Sequence, residues 1–297
     1  MDLRCLCSFI GGVINPEKIC ILGNEYPLKR AVRKEYRQLS DDERERFHAV
    51  LQKLKNLGIF EGFNKQHKLA APGSHLGPAF LPWHREFLKR FEIAIRMMDP
   101  SLAIPYWDST MDFHLPEPKD SILWSSAFLG ESDSDGMVVT GQFAGWKTLE
   151  GRDNIKRRLG FEGRPFNESD LWYVFAQKDV KNILAYTDLK ERKKDCPIPL
   201  NYVALEFFHA NVHFFVGGDM KPPETAGNDP TFYLLHSFVD YIWEIWRVSR
   251  QTREAREKEY TPDFHECGHP LHFGNSIMHP FEILANKDGL SNAYIDE

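Results

Sequence analysis

One segment narrows the folds open to this chain more than any other. From Thr231 to Arg250 the sequence is apolar on nearly every face, carrying Phe232, Leu234, Leu235, Val239, Ile242, Trp243 and Trp246 behind Asp229 as N-cap and Pro230 at the first helical position. A helix with no face to give to water must be surrounded by other elements. At its centre stands His236, a polar ring that costs free energy to bury unless a ligand or a hydrogen-bond partner satisfies it.

The helices to surround it are legible. Ser40 and Glu43 form a capping box, and Phe47, Val50, Leu51, Leu54 and Leu57 then recur at helical spacing until Gly58. A second helix is expected from near Pro82, with Phe87, Leu88, Phe91, Ile95 and Met98, ending before Asp99-Pro100. A third is expected from about Leu200 to Val216, stopped by Gly217-Gly218. Segments 115–135 and 187–199 read as loops, and 269–297 as a wrap over the surface. No internal repeat or flexible linker divides the chain. The expectation is a single mainly α domain, a four-helix-bundle core with long loops and few short strands.

Charge and apolar runs exclude several partners. Forty-three acidic side chains against 37 basic ones leave a net charge of −6 with no basic tract, which argues against nucleic acid. No apolar run approaches the roughly 20 residues that span a bilayer, so no membrane segment is expected. Segment 1–11 lacks the pattern of a secretion signal. Yet Cys5, Cys7, Cys20, Cys196 and Cys267 are odd in number and irregular in spacing. They fit either buried free thiols or the disulfide framework of a secreted protein whose leader, and perhaps a pairing cysteine, lies outside this chain.

The twelve histidines carry the chemistry. His67, His75 and His84 recur before and at the start of the second helix. His209 and His213 lie four apart on one face of the third, and His236 sits on the fourth. A single buried histidine is most often a satisfied core group. Two sets of three beside core helices instead suggest two three-histidine sites facing one another across a bundle, the core holding a binuclear metal site. Cysteine is absent from both sets and Glu-x-x-His from the pattern, which leaves copper handling dioxygen as the favoured chemistry.

The stretch Pro78-Ala-Phe-Leu-Pro-Trp-His-Arg-Glu-Phe-Leu-Lys-Arg-Phe-Glu92, with Ile104-Pro-Tyr-Trp-Asp108, resembles the first copper-site signature of tyrosinases and molluscan haemocyanins. Phe208-His-Ala-Asn-Val-His-Phe-Phe-Val-Gly-Gly218 and Asn228-Asp-Pro-Thr-Phe-Tyr-Leu-Leu-His-Ser-Phe-Val-Asp240 resemble the second. The chain looks most like nematode and molluscan tyrosinase-like proteins.

The resemblance implies one tyrosinase-like copper domain over 1–297, with a Cys-containing segment 1–39, a helical copper-binding core 40–250 and a C-terminal wrap 251–297. It implies two copper ions, with His67, His75 and His84 on one and His209, His213 and His236 on the other. His48 competes with His67 for the first position, and His114, His265, His269, His272 and His279 match no ligand motif and read as surface or loop residues. No catalytic side chain beyond the metal ligands is implied. The implied reaction takes dioxygen as co-substrate and oxidises a small catecholic or phenolic substrate. Haemocyanin-like oxygen binding and a zinc-loaded relative without oxidase activity are the alternatives. Secretion is implied as well, with the signal peptide absent from this chain.

Asp240, one turn after His236, is expected to orient that imidazole, and Phe80 and Trp83 to pack around the first copper. Asp108 reads as a structural acceptor. Family members that hydroxylate monophenols often carry Asn directly after the first histidine of the His-x-x-x-His pair. Here that position is Ala210 and Asn211 follows it, about 100° further round the helix, so catechol oxidation is expected to dominate. Glu206 reads as a packing or orienting residue. Phe214, after His213, is expected to narrow the entrance. Asn167-Glu-Ser169 is a weak glycosylation signal before a helix-like run.

Overall fold

The computed structural model describes residues 3–292. In chain order its helices are α1 (Leu3–Phe9), α2 (Asp41–Asn56), α3 (Ile59–Ser74), α4 (Phe80–Met98), α5 (Thr110–Phe113), α6 (Glu168–Ala176), α7 (Leu205–Val216), α8 (Pro223–Ala226), α9 (Thr231–Arg250) and α10 (Arg253–Lys258). The strands β1 (Val13–Ile14) and β2 (Cys20–Ile21) pair antiparallel near the N-terminus. The mainly α expectation, with few short strands, is met.

The apolar helix α9 runs over Thr231–Arg250 as the sequence dictates, and α2 carries the Ser40–Glu43 capping box. Helix α4 begins at Phe80, two residues before the expected start. Pro82 therefore lies in the first turn, where its missing N–H removes no helical bond. Helix α7 begins at Leu205 rather than near Leu200, because the Asn201 side chain accepts from Val203 N and bends 201–204 into a turn. At the far end of α7, Gly217 (φ 65°) and Gly218 (φ 54°) allow a close approach. A Cβ on Gly218 would lie 2.0 Å from the Lys156 carbonyl oxygen, and Arg158 and Gly160 donate to the last carbonyls of the helix.

Helix α3 corrects the sequence reading, which placed its residues in the approach to the next helix. Gly58 (φ 70°) ends α2 and is at once the N-cap of α3. The buried stripe of α3 is Phe60, Asn64, His67, Ala70 and Ser74, so three of its five inward residues are polar and the apolar period is faint. The bundle around the histidines is accordingly α3, α4, α7 and α9, with α2 packed outside α3 and α4. One large core cluster joins them, centred on Trp83, Phe87, Phe91, Tyr233 and Trp243.

The C-terminal wrap is more than a surface cover. Met278, Phe281 and Leu290 are buried in the main core, and His279 accepts a hydrogen bond from Trp83 Nε1 at 2.7 Å. Disulfides join Cys7 to Cys20 and Cys196 to Cys267, so these four are not free thiols. The Cys5 side chain lies outside the described residues. Among those residues no helix is long and apolar enough to cross a membrane.

Candidate metal centre

Four helices and one turn bring six imidazoles together. His67 sits on the inner stripe of α3, His84 in the second turn of α4, His209 and His213 one turn apart on α7, and His236 on α9. His75 differs: it ends α3 in extended backbone (φ −133°, ψ 156°) and precedes Leu76 at φ 70°. Ligand atoms of His67, His75 and His84 lie within 4.8 Å of one another, as do those of His209, His213 and His236. Five of the rings are buried and His75 is half-buried.

The two triads face each other. The His84 and His236 rings stack with centroids 4.3 Å apart and planes 11° from parallel. Phe80 and Phe232 wall the space between: Phe80 is 4.7 Å from His84 and 4.8 Å from His209, and Phe232 is 4.6 Å from His67 and 4.2 Å from His236. Both phenylalanines are buried, so the facing nitrogens look into a dry, aromatic space.

The fit to metal can be judged from the ring nitrogens. Nδ1 of His84 lies 2.8 Å from the Phe80 carbonyl oxygen, that of His209 3.2 Å from Glu206 O, and that of His213 2.6 Å from Met220 O. A carbonyl oxygen only accepts, so each Nδ1 carries the proton and each Nε2 presents a lone pair. Nε2 of His67 and of His84 is buried without a hydrogen-bond partner. Nε2 of His236 lies 3.2 and 3.3 Å from those of His209 and His213, so three ring nitrogens converge on one point. Such convergence is unfavourable in an apolar interior unless a cation fills it.

Burial, reinforced by neighbouring imidazoles, holds His67, His84, His209 and His236 well below the usual histidine range, and takes His75 down to about 3. Burial alone takes His213 to about 4. All six are neutral near pH 7, as ligation requires.

The supporting residues divide into those the sequence placed and those it did not. Glu206 orients, as expected: its carboxylate accepts from Leu76 N and Thr187 Oγ1, both at 2.5 Å, and so grips the turn after His75. Burial pushes that carboxyl up to about 7. Asp108 caps its own turn by accepting from Thr110 N and Oγ1. Trp83 packs 4.9 Å from His84.

Asp240 does not orient His236, and the expectation is corrected. Its carboxylate accepts from Arg85 Nε at 2.6 Å and Arg33 Nη1 at 2.9 Å, while His236 Nδ1 has no partner among the described residues. Two guanidinium charges in a poorly solvated site outcompete a neutral imidazole for one carboxylate. His48 is likewise no ligand. Its Nε2 lies 2.5 Å from Tyr36 Oη and its ring packs on Phe143.

Ala210 and Asn211 are half-buried on α7, and Asn211 Nδ2 donates to the Phe207 carbonyl of its own helix. Phe214 is exposed under the Lys221 ammonium, in a surface cleft with Arg158 and Phe161. Asn167 spends its side-chain oxygen capping α6. Sequence reasoning missed Phe232 as a wall of the centre. Its place one turn before His236 was the available signal.

A family model described as the common central domain of tyrosinase matches residues 48–249. The chain belongs to the tyrosinase family. Members of that family use two copper ions with dioxygen, and the two triads fit such a pair. The chain is 44% identical over 298 residues to a tyrosinase-like protein of Caenorhabditis elegans, an alignment covering all of this chain and 42% of that one. It is 33% identical over 232 residues to the tyrosinase of Streptomyces antibioticus, covering 71% of this chain and 81% of that one. With a tyrosinase-like protein of Margaritifera margaritifera the alignment covers 60% of the relative, so this chain spans about half the length of the animal relatives it matches.

The tyrosinase fold recurs in solved structures. A polyphenol oxidase of Thermothelomyces thermophila superposes with a TM-score of 0.60 at 20% identity, covering 80% of this chain and 76% of that one. A functional unit of octopus haemocyanin gives 0.53 at 20% identity, covering 74% and 54%.

Proposed function

We propose that this tyrosinase-family chain is a copper oxidase that uses dioxygen to oxidise o-diphenols to o-quinones, with weaker ortho-hydroxylation of monophenols. The observation that carries the proposal is the pair of facing triads, in which His84, His209 and His213 keep the proton on Nδ1 and turn a free Nε2 toward one dry space. In this reading His67, His75 and His84 hold one copper and His209, His213 and His236 the other. Bound there, the copper pair supplies two-electron redox chemistry with dioxygen as the oxidant, so that two catechols and one dioxygen give two quinones and two waters.

The protein's own part is to hold and to exclude. The carbonyls of Phe80, Glu206 and Met220 keep the Nδ1 protons in place, so the rings cannot turn or exchange tautomers. Phe80 and Phe232 keep water from between the triads. His75 is the least buried of the six imidazoles, and substrate entry is proposed on its side.

Two features favour oxidation over hydroxylation. Ala210 stands where an amide would help take the phenol proton, and the Asn211 amide is turned back to Phe207. The Glu206 carboxylate is occupied by Leu76 and Thr187. A positioned base contributes about 10²–10⁴-fold to proton transfer, so its absence falls on the monophenol.

The same proposal takes the chain as a single copper domain, with 1–39 and 251–297 flanking the core, and the two disulfides favour a secreted setting. The test is dioxygen uptake by the copper-loaded chain with L-DOPA and with L-tyrosine. Turnover of L-DOPA at least about 10²-fold faster is expected, and Ala210→Asn should narrow that gap. Equal rates on the two substrates would refute the catechol preference. Reversible dioxygen binding without turnover would mark a carrier, and zinc in place of copper an inactive relative.

A further inference from the structure

One more histidine is buried close to the centre, and it lies beyond the 48–249 core shared with the family. The sequence reading took His272 for a loop residue, yet it is 2% exposed. Its Nδ1 has no hydrogen-bond partner among the described groups, and burying such an unpaired group is unfavourable. A leucine would fill comparable space without that cost.

The wrap nevertheless fastens the main chain that carries the ring from several directions. Asn286 Nδ2 donates to the carbonyls on either side, Leu271 O at 2.7 Å and Phe273 O at 2.9 Å. Tyr260 Oη donates to the His272 carbonyl at 2.8 Å. The Cys196–Cys267 disulfide anchors the same segment five residues upstream.

What the ring touches is the turn that carries His75. The ring lies near the His75 backbone, which favours a proton on it. It also lies so closely over Gly77 that a Cβ there would sit 2.5 Å from its Cγ and 2.7 Å from its Nδ1. From the α7 side the same turn is gripped by Glu206 through Leu76 N and by Thr187 N through Leu76 O. The other five rings of the centre stand on helices, whose backbone fixes where they point. His75 follows the last residue of α3, so its backbone must be fixed by neighbours.

We propose that His272 is a positioning residue for the first copper, holding the main chain of His75 to Gly77 so that the His75 imidazole is aimed into its triad. This rests on the reading that the triad binds copper. It differs from packing alone in requiring a polar group at 272 as well as bulk.

The experiment uses the full chain in a His213→Ala background, which leaves the first triad as the intact one. Copper(I) affinity is measured by competition with a chromophoric chelator, and circular dichroism checks folding. His272→Ala and Gly77→Ala should each weaken binding by about 10–100-fold, the range found when groups that orient metal ligands are removed. His272→Gln, which keeps an N–H donor, should recover most of the loss. Unchanged affinity in His272→Ala, or an equal loss in His272→Gln, would overturn the proposal. Should His272→Ala fail to fold, Gly77→Ala decides: it pushes the ring aside without removing the imidazole, and wild-type affinity there refutes the role. If the wild-type chain binds no copper at all, the metal-centre reading falls, and this inference with it.

Discussion

Helix α9, which carries His236, is anchored by a buried ion pair whose removal gives a sharp prediction. Arg157 and Asp229 have fully buried side chains, with Nε and Nη2 donating to the carboxylate at 2.7 and 3.0 Å. Arg157 Nη1 also donates to Leu129 O and Gly130 O, both at 3.0 Å, and Asp229 Oδ1 accepts from Thr231 N and Oγ1. Burial alone would raise the pKa of this carboxyl. The charge and hydrogen bonds of Arg157 outweigh that and hold it below the usual aspartate value.

Asp229→Ser keeps an oxygen for the start of α9 but strands the guanidinium. Removing one partner of a buried pair costs about 3–5 kcal/mol, a large part of the roughly 5–15 kcal/mol by which a domain is stable. With a urea slope of about 2–3 kcal/mol/M the unfolding midpoint should fall by about 1–2.5 M. Adding Arg157→Met removes the stranded charge and should return about 1–3 kcal/mol. The measurement is urea unfolding followed by far-ultraviolet circular dichroism with disulfides intact. A loss below about 1 kcal/mol for Asp229→Ser, or a further loss on adding Arg157→Met, would refute the account.

Three further outcomes follow from the structure. Burial, with a smaller contribution from Arg44, lowers the His48 pKa from 6.5 to about 4, so the unfolded chain takes up a proton that the folded chain refuses. Stability should be unaffected by this group above pH 6.5 and fall by about 3 kcal/mol between pH 6.5 and 4, and His48→Gln should flatten that limb in melting curves of the metal-loaded chain. On chain entropy, converting Cys196 and Cys267 to serine should cost about 4 kcal/mol against about 3 for Cys7 and Cys20, because their sequence separation is 71 rather than 13. Chemical denaturation of the two double variants gives that ranking, and a reversed order would show that native-state strain or residual structure dominates. Copper in hundredfold excess over its dissociation constant should add about 2.7 kcal/mol per site, and His236→Ala should forfeit one site's share. Calorimetry with and without chelator checks both.

Most of the fold was legible because local signals and burial agreed. The apolar run of α9, the capping box of α2 and the glycine stop of α7 each act within a few residues, and all three stand where expected. Helix α3 was illegible for a definite reason: its inward stripe includes Asn64, His67 and Ser74, residues that carry no hydrophobic period. Asn64 is buried because Tyr233 of α9 donates to it at 3.1 Å, a partner 169 residues away. The six histidines were found through their motifs. Asp240 was misjudged because helical spacing puts it near His236, whereas its two arginine partners lie 155 and 207 residues distant in sequence.

By itself, then, the sequence determined that this chain must wrap helices around a histidine-bearing apolar core, and which six imidazoles could meet there. The first follows from periodicity, which is local, and the second from motifs that resemble those of the tyrosinase family. Only the tertiary structure decided which nitrogen of each ring faces the centre, that Asp240 belongs to two arginines, and that His272 returns from the C-terminal wrap to the turn after α3. Those outcomes are set by competition among groups far apart in the chain for the same hydrogen bonds and the same buried space, and such competition has no signature along a sequence until packing brings the rivals together.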